Sequence, residues 1–202
     1  MTAFFTSVVI GRFESVIVLQ KLGADTNITN SDGAFPIHVA AESGNVDMLK
    51  LILNNNVNIT TDNSYKITPL WIACQNGHLD AVKFLLESGA DPSLSRLDNG
   101  VSPLCIAVRN KHTNVVKQLL ATGNIDLSLQ DNFGKTVIDY AKGYCPEILE
   151  YLSVDSFVKD ASSTSTSIHS SIFDDSQSLI ALHATSEPEV MGDQDSYSYS
   201  GI

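Results

Sequence analysis

The hydrophobic residues of this chain fall in paired short runs with turns between them. After Pro69, one run holds Leu70, Ile72 and Ala73; after Gly77, a second holds Leu79, Val82, Leu85 and Leu86 at spacings of three and four. The first predicts a short helix of about seven residues, the second a helix over 79–87. Pro69 suits a first helical turn, whose N–H has no helical partner anyway, and the Thr68 hydroxyl can cap that end. Gly77 lets the chain turn through positive φ, and Gly89 ends the second helix. Asp91-Pro92 and Asn99-Gly100 then read as loop and turn. Neither helix is long enough to stand alone in water, so each must bury its apolar face on a neighbour.

That neighbour is another copy of the same pattern. FPIHVAAESGNVDMLKLIL (35–53), TPLWIACQNGHLDAVKFLL (68–86) and SPLCIAVRNKHTNVVKQLL (102–120) align, with Pro36, Pro69 and Pro103 at steps of 33 and 34 residues. A degraded copy, TVIDYAKGYCPEILEYL (136–152), has Val137 at the proline place, 34 further on. GRFESVIVLQKLGADTN (11–27) reads as the second half of an earlier copy, and residues 2–10 are expected as an irregular first helix. The expected organisation is a repeat domain over 1–152 and a tail over 153–202. Within the domain, degenerate copies fall at about 1–29 and 131–152 and clearer ones at about 30–62, 63–96 and 97–130.

These features resemble the ankyrin repeat family. The resemblance rests on boxes of the Thr-Pro-Leu-His kind (Phe35-Pro36-Ile37-His38, Thr68-Pro69-Leu70-Trp71, Ser102-Pro103-Leu104-Cys105) and on Gly-Ala-Asp turns at 23–25 and 89–91. It departs where Trp71, Cys105 and Asp139 replace the box histidine kept at His38, where Lys111 replaces the mid-repeat glycine and where Asn56 replaces the later turn glycine. The last copy also has a shortened second helix. The resemblance implies an all-α solenoid of four to five repeats, with short β-hairpin fingers on one side. Terminal copies of such arrays are atypical, since one face meets solvent. Asp139, Lys142, Glu147 and Glu150 fit that expectation, whereas Phe4, Phe5, Val8, Val9, Phe13 and Val18 are more apolar surface than a cap needs. An irregular first helix, a piece of a longer array and N-terminal self-association all stay open.

Composition separates domain from tail. The net charge is −11, with −4 over residues 1–152 and −7 over 153–202, where Lys159 is the sole basic residue. Such a chain is repelled by phosphate backbones and anionic lipid, so neither nucleic acid nor membrane is an expected partner. No apolar run reaches the roughly 18 residues of a membrane span, and no secretory leader is expected. The tail is rich in Ser, Thr and Asp and is expected to be disordered. Two of its features invite partners: an apolar cluster, Leu179-Ile-Ala-Leu-His183, and the ending Ser200-Gly201-Ile202, which suits a PDZ-type groove. Cys74, Cys105 and Cys145 are odd in number and widely spaced, which fits reduced thiols in the cytoplasm or nucleus.

Catalytic constellations are missing. Gly134-Lys135-Thr136 resembles the end of a phosphate loop, but Leu129 stands where its first glycine belongs. The run Asp25 to Gly33 has its glycine misplaced for a calcium loop and Pro36 at the closing glutamate. No His/Cys pair has zinc-ligand spacing, so neither cofactor nor metal is expected, and the chain is not expected to be an enzyme. Within the family, finger tips and the concave face of the first helices bind protein partners. Carried over to this sequence, the tips supply Tyr65, Ile67, Asp98, Asn99, Val101, Phe133 and Lys135, and the concave face supplies Gln75, Asn76, Arg109 and Asn110. The expected function is a protein-interaction module or scaffold binding a protein partner there. The alternative is a structural assembly subunit, or a fragment of a larger array, packing through its apolar N-terminus.

Overall fold

The computed structural model describes residues 2–53, 59, 63, 67–94, 99–123 and 125–152. The expected tail, with its apolar cluster and C-terminal ending, lies outside the described residues. The described chain is a succession of helix pairs: α1 (Ala3–Ile10) and α2 (Phe13–Lys21), α3 (Pro36–Glu42) and α4 (Val46–Leu53), α5 (Pro69–Asn76) and α6 (Leu79–Glu87), α7 (Pro103–Arg109) and α8 (Thr113–Leu120). The series ends with α9 (Val137–Tyr144) and a 3-10 turn over Pro146–Ile148, after which 149–152 is helical. Each pair packs on itself, and α1, α3, α5, α7 and α9 pack in sequence to form an inner row. The outer helices α4, α6 and α8 pack in a second row, and the Gln20 side-chain amide donates to the Leu51 carbonyl to join α2 to it.

The two rows have different patterns because they have different numbers of neighbours. An inner helix meets its own outer helix and an inner helix on either side, so it is apolar almost all round. Pro36–Ala41, Pro69–Cys74 and Pro103–Val108 are buried without a break. The outer helices bury one stripe only: Met48, Leu49 and Ile52, then Ala81, Val82 and Leu85, then Val115, Val116 and Leu119.

The N-terminal caps recur with the repeat. Thr68 Oγ1 accepts from the Trp71 N–H at 3.2 Å and Ser102 Oγ from the Cys105 N–H at 3.1 Å. Thr2 Oγ1 accepts from the Phe5 N–H at 3.2 Å in the same way. The irregular first helix expected at 2–10 is therefore a regular one, and the first repeat is a complete pair. Thr2 lies 33 residues before Phe35, the cap position of the second repeat, and Ala3 in place of proline hid the box. Phe4, Phe5 and Val8 are buried rather than spare surface.

The fingers are simpler than hairpins: among the described residues no strand forms. In three of the fingers an acceptor side chain at one shared place holds the turn instead. Asn30 Oδ1 accepts from the N–H groups of Asp32 and Ala34, and Asp131 Oδ1 from those of Phe133 and Lys135. Asn63 Oδ1 accepts from the Ile67 N–H. A short polar side chain thereby satisfies the turn's own donors.

Histidines and a tryptophan stitch repeat to repeat. His38 Nδ1 accepts from the Phe35 N–H at 3.2 Å, so the proton lies on Nε2, which donates to the Ile67 carbonyl at 3.0 Å. Trp71, one repeat on, donates from Nε1 to the Val101 carbonyl at 2.8 Å and so does the same work as the histidine it replaces. His78 and His112 donate to the carbonyls of Glu42 and Gln75 in the preceding repeats. A Cβ on Gly77 would lie 2.5 Å from the His112 ring, and φ there is 74°, so only glycine fits. Lys111 adopts the same left-handed φ, 61°, one repeat later. Pro146 follows where another histidine ring would stack, so a side chain at 111 has room.

Candidate functional site

The sequence-predicted contact residues separate into two groups. Fingers precede the inner helices and the Gln75-Asn76 and Arg109-Asn110 pairs end them, so a helix of eight or seven residues, about 10–12 Å long, separates the groups. Tyr65 and Asp98 lie outside the described residues. Ile67 and Val101 do not serve as exposed tips: they are 1% and 4% exposed, and their carbonyls receive the His38 and Trp71 bonds. Asn76 and Asn110 are exposed, but their side-chain amides donate to the carbonyls of Glu42 and Gln75 at 3.4 and 2.7 Å. They join repeats as well as facing solvent.

What is left on the fourth and fifth repeats is more coherent. The finger at 131–135 places Phe133 at its apex, 64% exposed, with exposed Lys135 beside it. The neighbouring finger supplies Asn99, whose Oδ1 accepts from the Val101 N–H and whose carbonyl accepts from the Asn132 N–H at 2.9 Å. Gly100 makes that approach feasible, because a Cβ there would sit 2.9 Å from the Asn132 side chain.

Behind Phe133 the support is buried and fully bonded. Asp131, 7% exposed, uses Oδ1 on two backbone donors and Oδ2 on the Tyr140 hydroxyl at 2.6 Å. Burial, then the bond to Asp131, hold the Tyr140 hydroxyl well above the usual phenol range. Tyr140 stacks on Tyr144 at 6.1 Å between ring centroids, and the Arg109 guanidinium lies 6.0 Å from the Tyr144 ring. Asp131, Tyr140, Tyr144 and Arg109 thus link the finger to the far end of the inner face. Tyr140 and Tyr144 were not singled out from the sequence, although Tyr144 stands 34 residues after Asn110 and so takes the same place in its repeat.

Nothing in this arrangement activates a nucleophile. Burial pushes the thiols of Cys74 and Cys105 up, and burial with the Glu147 carboxylate pushes Cys145 up to about 11. All three are buried and free. Among the described residues no group of three or more His, Cys, Asp and Glu is placed to hold a metal ion. No helix among them is long and apolar enough to cross a membrane.

A family model described as ankyrin repeats (3 copies) matches residues 6–96 and 92–162, which is most of the chain. The chain belongs to the ankyrin repeat family. The match takes in α2 and the latter part of α1. Notch-regulated ankyrin repeat-containing protein B of Danio rerio is 40% identical over 52 residues, 26% of this chain and 47% of that protein. The match therefore spans about half the length of that relative. Ankyrin repeats are in general protein-interaction modules.

Proposed function

We propose that this chain is a non-catalytic interaction module whose protein partner meets the fourth and fifth repeats, from Phe133 to Tyr144. The observation that supports this is Phe133 itself. A large aromatic side chain stands in water on a finger whose Phe133 and Lys135 N–H groups are held by a buried aspartate and whose Asn132 N–H is held by the neighbouring finger. Ordering has already occurred before binding, so an aromatic anchor there gains its burial with little further entropy loss. Arg109 over Tyr144 extends the surface with a cation and a second ring, a composition typical of binding hot spots. The acidic chain disfavours nucleic acid as the partner. Three unpaired thiols suit a reducing compartment, the cytoplasm or nucleus.

The test is capture of partners from lysate on the full chain, on Phe133→Ala and on Tyr144→Ala, with thermal unfolding matched first. Loss of a specific partner from both variants, with affinity falling about tenfold or more for each, supports this surface. An unchanged partner list on both removes it.

A further inference from the structure

Helix α9 leaves open a position that every earlier inner helix buries. Ile138 is 39% exposed, whereas Phe4, Ile37, Leu70 and Leu104, at the same place in the first four repeats, are at most 2% exposed. Each of those four has a further inner helix packed on it in sequence. Beside Ile138 a cavity of about 670 Å³ opens, with Leu127, Leu149 and Leu152 also in its wall. A volume of that size takes a drug-sized ligand, so it has room for two apolar side chains. A further ankyrin repeat fits it poorly. Where His38 and Trp71 donate to the carbonyl of the next finger, the fifth repeat has Asp139. Its carboxylate already accepts from the Thr136 N–H and hydroxyl, and once ionised it has no hydrogen to donate forward.

We propose that the chain's own continuation, residues 153–162, docks in this cavity, with Phe157 and Val158 against Ile138 and Leu149. Continuity selects this occupant. Leu152, the last described residue, is 2% exposed and forms part of the wall, so the chain leaves the described structure at the cavity itself. Beyond it Val154, Phe157, Val158 and Ala161 recur at the spacing of one helix face, with Asp155, Ser156, Lys159 and Asp160 between them. The ankyrin match also runs past Leu152, to residue 162. Phe157 follows Leu152 by five residues, a reach of at most about 17 Å. A tether that short gives an effective concentration in the millimolar range, which favours this segment over an untethered occupant. The repeat domain then ends near residue 162, and the acidic tail starts there rather than at 153. This inference does not depend on the Phe133 surface.

Hydrogen exchange of the full chain, read by mass spectrometry, tests the docking. Amides of 154–161 should exchange about tenfold or more slowly than those of 163–178. Ile138→Asp puts a charge into the cavity at an exposed position, and Phe157→Ser removes the anchor. Each should bring 154–161 to the rate of 163–178, while the amides of α5 and α7 keep theirs and so show that the array still stands. Protection should be the same at about 1 and 100 µM protein. Three results overturn the proposal: 154–161 exchanging as fast as 163–178 in the unaltered chain, protection that survives either substitution, or protection that appears only at the higher concentration, where a second copy supplies it. Should Ile138→Asp loosen α5 and α7 as well, Phe157→Ser alone decides.

Discussion

The first and third repeats begin identically, with a threonine that caps an eight-residue helix and a left-handed glycine that ends it. They end up in different environments. In the third repeat Trp71 bonds forward to Val101, and the ring of His112 closes over Gly77. In the first repeat nothing lies within 4 Å of a Cβ placed on Gly11, and the box position is Phe5, buried but without a donor. Capping and turning are therefore local properties that these two copies share, although Phe35 gives the second copy no side-chain cap. The bonds between repeats depend on single residues: Asn45 stands at the place of His78 and His112, and Phe5 at that of Trp71, so the first repeat is joined to the second through Gln20 and the Leu51 carbonyl instead.

The sharpest break should come at Trp71. Trp71→Ala removes a buried ring and orphans a carbonyl, and urea unfolding should show a loss of about 3–5 kcal/mol. A loss near 1 kcal/mol would mean that the forward bond is not what couples the third and fourth repeats.

The glycine pair isolates packing from backbone strain. Both have nearly the same φ, 75° at Gly11 and 74° at Gly77. Gly11→Ala should cost about 1–2 kcal/mol from the left-handed backbone alone. Gly77→Ala adds overpacking against His112, a further 1–3 kcal/mol or so. Equal midpoints for the two variants in denaturant would show that the His112 ring simply moves aside.

At the other end of the array, Tyr140→Phe deletes a bond to a charged acceptor and should cost about 1.5–3 kcal/mol at neutral pH. Its pH dependence has a definite sign. Tyr140 has a raised folded pKa, so its contribution is complete below about pH 10, the unfolded value, and is lost as pH climbs toward the folded one. Wild-type stability should fall in that alkaline range more steeply than that of the Phe variant, and parallel curves would remove Tyr140 from the account.

The smallest effect is at Asp139. Its carboxylate accepts from the Thr136 N–H at 2.9 Å and the Thr136 hydroxyl at 2.7 Å, which hold its pKa below the usual carboxylate range. The contribution is present above the unfolded value near pH 4 and is lost as pH falls through the lower folded value. Asp139→Asn should therefore blunt the acid loss of stability below about pH 4, read by thermal unfolding at stepped pH.

Much of this was legible in the chain itself. Pro36, Pro69 and Pro103 announced the period, and the outer helices Leu79–Glu87 and Thr113–Leu120 follow the spacing of their apolar residues closely. The first copy was half hidden, because Ala3 breaks the box and Thr2 alone is a weak sign. The candidate site was less legible. Ile67 and Val101 look like exposed tips in a linear reading, yet the turn directs them inward. Asp131 looks like one more loop aspartate until Tyr140, nine residues on, is seen to donate to it.

The sequence by itself determined the repeat period, the helix pairs, their caps and turns, because these depend on residues within a few positions of one another. It also determined the family and the acidic balance. Only the tertiary structure decided which polar side chains join repeats, which tip residues are spent inside the stack, and which remain in water. Those choices depend on contacts 30 or more residues apart, such as Trp71 with Val101 and His112 with Gln75. A period tells which positions are equivalent. The neighbour that each copy meets decides what an equivalent position does, and so the same slot holds an amide bonded to the preceding repeat at Asn76 and an isoleucine in water at Ile10.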